Sequence, residues 1–171
     1  MPEITPNLHA QTPPAHVSDT DAIERALHAA AVAPGDSFTI GTRYFLRQQT
    51  TGNTPADTDP SIEPAVVTES CTRVVFEFND GDTVVANTRA GSVVANGDGG
   101  CVMDVYRDTD AVRAAYEVVC LRESLTRERY LLLSALDTGY VPAVELGKQL
   151  LRVRSVEAQL EIAYARLCAL V

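Results

Sequence analysis

The chain has 171 residues, 46% of them apolar and 22% charged, which suits one compact domain with its own core. Fourteen Lys and Arg against 23 Asp and Glu give a formal charge of −9, and that acidity argues against a protein built to grip nucleic acid. The histidines, His9, His16 and His28, all lie near the start of the chain, so Ser–His or Cys–His catalysis in the folded body is excluded unless His28 takes part.

Residues 1–17 hold Pro2, Pro6, Pro13 and Pro14 with few apolar groups, and read as a flexible N-terminal arm. They show neither the basic start nor the apolar run of a secretory signal, and no stretch is long enough to span a membrane. The expected location is the cytoplasm, or an assembly or virion formed there. A short helix follows: Asp21 and Glu24 have the spacing of a capping pair, and Ile23, Ala26, Leu27 and Ala30 share one face. Pro34-Gly35 stops it.

From Ser37 the apolar period changes to two. Phe38, Ile40, Tyr44 and Leu46 alternate with Thr39, Gly41, Arg43 and Arg47, as in a strand with one wet face. Residues 49–64 read as a long polar loop, and residues 65–78 as a second strand with Val74, Phe76 and Phe78 on one face. Asn79-Asp80-Gly81-Asp82 is a turn. Strands at Thr83–Asn87, Ser92–Ala95 and Cys101–Tyr106 complete an antiparallel meander of about five strands within residues 18–107.

Residues 108–171 read as an antiparallel αα-hairpin packed on the sheet or on a partner. Asp108 or Asp110 caps a helix reaching about Leu136, Gly139 ends it, and Pro142 opens a second helix. Ala and Leu keep near-heptad spacing on the first helix, broken by Glu128, and Leu146, Leu150, Val153, Val156, Leu160, Ala163 and Leu167 do so on the second. Folding back at residues 139–140 sets Arg127 level with Arg152, Arg129 with Leu150 and Arg122 with Glu157. Arg127, Arg129, Arg152 and Arg154 then form either a salt-bridge lattice with Glu123, Glu128 and Glu157 or a patch for an anion or acidic partner. Tyr130, Leu131, Leu132, Leu133 and Leu136, widened by Leu151, are apolar on almost every face of the tip. One facing helix covers one stripe only, so these residues need the sheet or a partner.

Other chemistry finds little support. Cys71, Cys101, Cys120 and Cys168 have neither zinc spacing nor a disulfide framework, and read as apolar core thiols. Lys148 reads as a solvated helix lysine, and Gly97-Asp98-Gly99-Gly100 as a turn without a phosphate-loop pattern. Asp104, Asp108 and Asp110 lie close in sequence but lack a calcium-loop pattern. No cofactor or metal is expected.

In its Ala/Leu heptads, the stretch from Arg129-Tyr130 through Gly139 and Glu145-Leu146 to Leu170 resembles the paired helices of outer-membrane efflux proteins. The sheet-then-hairpin order is similar in architecture to the epsilon subunit of rotary ATP synthases. Neither likeness assigns a role to a residue of this chain.

The expectation is therefore an α+β protein acting as a non-catalytic structural or adaptor subunit of an oligomeric assembly, in a viral particle or a bacterial multiprotein machine. Its partners are protein: further copies or a larger assembly. The alternative is a small-molecule-binding protein or His-independent enzyme whose pocket, between sheet and helices, is lined by Tyr44, Phe76, Phe78 and Met103.

Overall fold

The computed structural model describes residues 19–49, 61–71, 73–89, 92–96, 102–139 and 141–171. The expected arm at 1–17, the turn at 97–100, Cys101 and most of the 49–64 loop lie outside these residues. The architecture is α+β. Helix α1 (Asp19–Ala30) precedes β1 (Arg43–Gln48), β2 (Ile62–Ser70), β3 (Val74–Phe78), β4 (Thr83–Arg89), β5 (Ser92–Asn96) and β6 (Val102–Arg107). Helices α2 (Asp110–Thr138) and α3 (Ala143–Cys168) follow.

Each strand pairs antiparallel with the next, and β6 pairs back on β1 with Tyr44 opposite Arg107 and Gln48 opposite Met103. The meander is thus a closed six-stranded barrel, one strand more than expected. A barrel this narrow is filled by side chains. Leu46, Val67, Phe76, Ala95 and Val105 are almost wholly buried inside it, and Phe38, Tyr44 and Phe76 form an aromatic cluster with centroids 5.2–5.6 Å apart.

Two strand expectations need correction. Residues 65–78 are two strands, because the chain reverses at Cys71–Arg73, where Cys71 N–H donates to the Arg73 carbonyl at 3.3 Å. That reversal contains no Gly, Pro, Asn or Asp, and the Arg73–Glu69 ion pair at 2.8 Å crosses it. The strand also starts earlier, at Ile62; Pro64 is tolerated because β2 has only β1 beside it before Ala65. The first strand begins at Arg43 rather than Ser37, leaving Ile40 exposed outside it. The turn at Asn79–Asp82 is as expected, with Gly81 at φ 92° and its N–H on the Phe78 carbonyl.

A second core lies outside the barrel. Phe45, Ile62 and Tyr106 point outward from β1, β2 and β6, and α1, α2 and α3 close over them. The expected face of α1, Ile23, Ala26, Leu27 and Ala30, is buried here. Arg47 reaches Glu24 at 2.6 Å and also meets the Tyr106 hydroxyl, tying α1 to β1 and β6. Burial, reinforced by Asp104, pushes the Tyr106 phenol up to about 12. After α1, Val32 N–H donates to the Val105 carbonyl at 3.0 Å, and its side chain enters the barrel core.

The N-cap of α2 is Thr109, not either flanking aspartate: its hydroxyl accepts from Val112 N–H at 3.2 Å. Asp108 is instead clamped between Arg43 (2.9 Å) and Arg113 (2.7 Å), joining β1 to the start of α2. Burial raises its pKa, but hydrogen bonds and charge from both arginines outweigh this and hold it below the usual aspartate value. Stability from a lowered carboxyl pKa is present above the unfolded value of about 3.9 and is lost as pH falls through the folded one. Asp108→Asn should therefore lower the melting temperature at pH 7 and converge with the wild type near pH ~2. Solvent around the half-exposed arginines limits the loss to about 1 kcal/mol, or roughly 2–4 °C. Thermal melts across this range check it; an equal deficit at both ends would remove the ionic explanation.

Candidate functional site

At 1.5 Å per residue α2 and α3 are about 43 and 39 Å long, which exceeds what the barrel can support. Buried α2 residues run from Val112 to Leu125, and those of α3 from Val153 to Leu167. Among the described residues from 126 to 152 none is buried. The distal half of the hairpin is thus a two-helix arm reaching about 20 Å past its last buried layer. Gly139, at φ 63°, closes α2 with its N–H on the Leu136 carbonyl, and Pro142 caps α3.

The arm is held by its own seam. Leu132 and Ala135 on α2 and Leu146 and Gln149 on α3 are half-buried. The seam on α3 includes Gln149 in place of the expected Leu150, which is 43% exposed. Gln149 Nε2 donates to the Glu128 carboxylate at 2.5 Å and to the Glu128 carbonyl at 3.4 Å. The residue that breaks the α2 heptad therefore meets a polar partner across the seam. One polar layer in an apolar interface fixes register at a cost in stability.

A turn of 100° per residue sorts the remaining side chains. Arg129 bonds Glu157 at 2.7 Å and marks one face of the hairpin. Leu133, Leu136, Leu150 and Arg154 lie toward that face, while Leu131, Arg127 and Arg152 lie toward the opposite one. Tyr130 and Leu151 point away from the seam, 70% and 68% exposed, and Leu133 is 61% exposed. Of the expected contact residues, Tyr130, Leu131, Leu133, Leu136 and Leu151 are exposed, whereas Leu132 belongs to the seam. The four arginines divide between two faces. Glu157 is bound by Arg129.

Elsewhere several charged groups are engaged by polar neighbours. Asp104 accepts from the Gln49 amide at 2.7 Å, and Arg113 spans Asp108 and Asp110. No group of three or more His, Cys, Asp or Glu among the described residues is placed to hold a metal ion. Lys148 pairs with Glu145 at 3.0 Å. His28 borders a cavity of about 170 Å³ beside Glu24, Asp104 and Tyr106. The three described cysteines depart from the expected core role: Cys71 and Cys168 are exposed free thiols, and Cys120 is half-buried. Cys120 sits with Tyr116, Glu117, Leu121, Gln159 and Ile162 in an open groove of about 460 Å³ along α2 and α3. Burial raises its thiol pKa, opposite to an activated thiolate; the Tyr116 phenol, through its hydrogen bond with Cys120 and then burial, rises to about 12. Tyr44, Phe76, Phe78 and Met103, the expected pocket lining, belong to the barrel core.

The chain matches no protein family, no curated protein and no solved structure. The exposed helical arm is the feature of the surface that its own fold leaves unexplained. If the Glu128–Gln149 layer sets register at the expense of stability, Glu128→Leu combined with Gln149→Leu should raise the melting temperature by roughly 2–4 °C for about 1 kcal/mol gained. A thermal melt showing a decrease would mean that the polar layer is itself a net support of the hairpin.

Proposed function

We propose that this protein is a non-catalytic structural or adaptor subunit of an oligomeric protein assembly, docking through its helical hairpin. The observation carrying this reading is the arm formed by residues 126–152: none of its described residues is more than half-buried, and it exposes Tyr130, Leu131, Leu133, Leu136 and Leu151. Exposed apolar area gains roughly 25 cal/mol per Å² when removed from water, and large apolar side chains exposed on several faces of one arm offer such area to a partner. A viral particle or a bacterial multiprotein machine would both use such a subunit. The exposed arginines of the arm would flank the contact and steer an acidic partner.

The test is the solution mass of the full chain by light scattering over a range of concentrations, together with Leu133→Asp/Leu151→Asp. Both positions are exposed, so the far-UV circular dichroism of the variant should match the wild type. The wild type is expected to form a defined oligomer, and the variant to associate about 100-fold more weakly. A wild-type chain that stays monomeric at about 100 μM, or a variant that associates equally well, overturns self-assembly through the arm.

A further inference from the structure

Opposite its seam, α3 carries a second heptad, whose Ile162 also borders the groove beside Cys120. Val144, Leu151, Ala158 and Ala165 recur every seven residues, with Lys148, Ser155, Ile162 and Ala169 between them at alternating steps of four and three. All eight are exposed; Val144, Leu151 and Ile162 are 72%, 68% and 71% exposed. A helix apolar on two opposite faces has a second seam to fill.

We propose that this seam is filled by the same face of a second copy of the chain, running antiparallel. The proposal rests on the hairpin being the docking element and names its partner. Placing Leu151 against the partner's Ile162 puts Ala158 against the partner's Ser155 at the centre, and each layer occurs twice by symmetry. The small central residues allow the helix axes to approach closely.

Charge selects the occupant and its register. Along one edge of the stripe, Arg154 meets the partner's Glu161, and Glu161 meets the partner's Arg154. Along the other, Glu145 meets the partner's Arg166 and Arg152 meets the partner's Gln159. No like charges face each other. Sliding by one heptad either way sets Arg154 or Glu161 against its own symmetry mate, and a parallel arrangement buries Lys148 against the partner's Lys148. Arg154 and Glu161 form no ion pair with any described residue of their own chain, whereas Arg166 bonds Glu117 and Glu145 bonds Lys148. The antiparallel arrangement also separates the acidic barrels: residues 1–107 hold 6 arginines against 14 acids, and residues 108–171 hold 8 cations against 9 acids.

Charge reversal tests the pairing. Arg154 and Glu161 are about 10.5 Å apart along one helix, too far to bond each other within a chain. Arg154→Glu and Glu161→Arg should each weaken dimerisation at least tenfold in sedimentation equilibrium. An equimolar mixture of the two variants should recover wild-type affinity as a heterodimer, because every edge contact again pairs opposite charges. Variants that dimerise as tightly as the wild type, or a mixture that fails to recover, overturn the antiparallel α3 pairing. If the wild type still oligomerises through Leu133 and Leu151, that result removes only the pairing geometry; a monomeric wild type removes both this pairing and self-assembly through the arm.

Discussion

The pairing of β6 with β1 is the contact on which the rest of the structure depends. It closes the meander, so that no strand from β1 to β6 is left as an open sheet edge. Closure also assigns each side chain of β1 to one of two cores. Tyr44 and Leu46 turn into the barrel, and Phe45 between them turns outward to meet Tyr116 on α2 with ring centroids 5.4 Å apart. The helices therefore have a limited platform, made by Phe45, Ile62 and Tyr106. Arg47–Glu24 and the Asp108 clamp hold α1 and α2 at its margins.

The size of that platform explains the form of the hairpin. α2 and α3 bury side chains only while they lie over the barrel and α1, and beyond Leu125 and Val153 they have only each other. Two helices bury a single seam, so an amphipathic pair would suffice for that stretch. Instead the arm carries exposed leucines on several faces and places Glu128 and Gln149 in its interior. Part of its apolar content thus lies outside the seam, while Leu132, Ala135 and Leu146 remain in it. Stability of the isolated arm does not require that distribution, whereas the proposed interaction surface would use it.

The hairpin was the most legible element because its signals are local. Gly139 and Pro142 mark the reversal, and the Ala/Leu spacing marks two paired helices. The apolar face of α1 and the Asn79–Asp82 turn were equally plain. Closure was not legible, since pairing between residues near 44 and 107 has no local signature. Nor was the reversal at Cys71–Arg73, which lacks the residues that usually announce a turn. Thr109 stood between two aspartates with similar capping preference, and only the arginines facing Asp108 decide between them. For the candidate site, sequence identified the apolar tip but could not separate seam from surface. Leu132 and Leu133 are chemically alike, and the rotation of α2 against α3 sends one inward and the other out. That rotation also separates the four arginines that sequence register had placed at one level.

Charge distribution gives the arm a reason to extend. The portion before the hairpin carries most of the net negative charge, and two such bodies repel at short range. Screening at physiological ionic strength acts over about 8 Å, whereas the arm extends about 20 Å beyond its last buried layer. Contacts made near its tip, at Leu133 and Leu136, would thus form more than a Debye length from the last buried layer of α2. The near-neutral balance of the helices adds little repulsion, and the opposite charges flanking the apolar stripe of α3 favour one alignment over its neighbours. Under the proposed reading, an acidic folded body and an apolar helical arm are complementary parts of one arrangement: the first would discourage indiscriminate association, and the second would confine association to a surface whose register the charges can select.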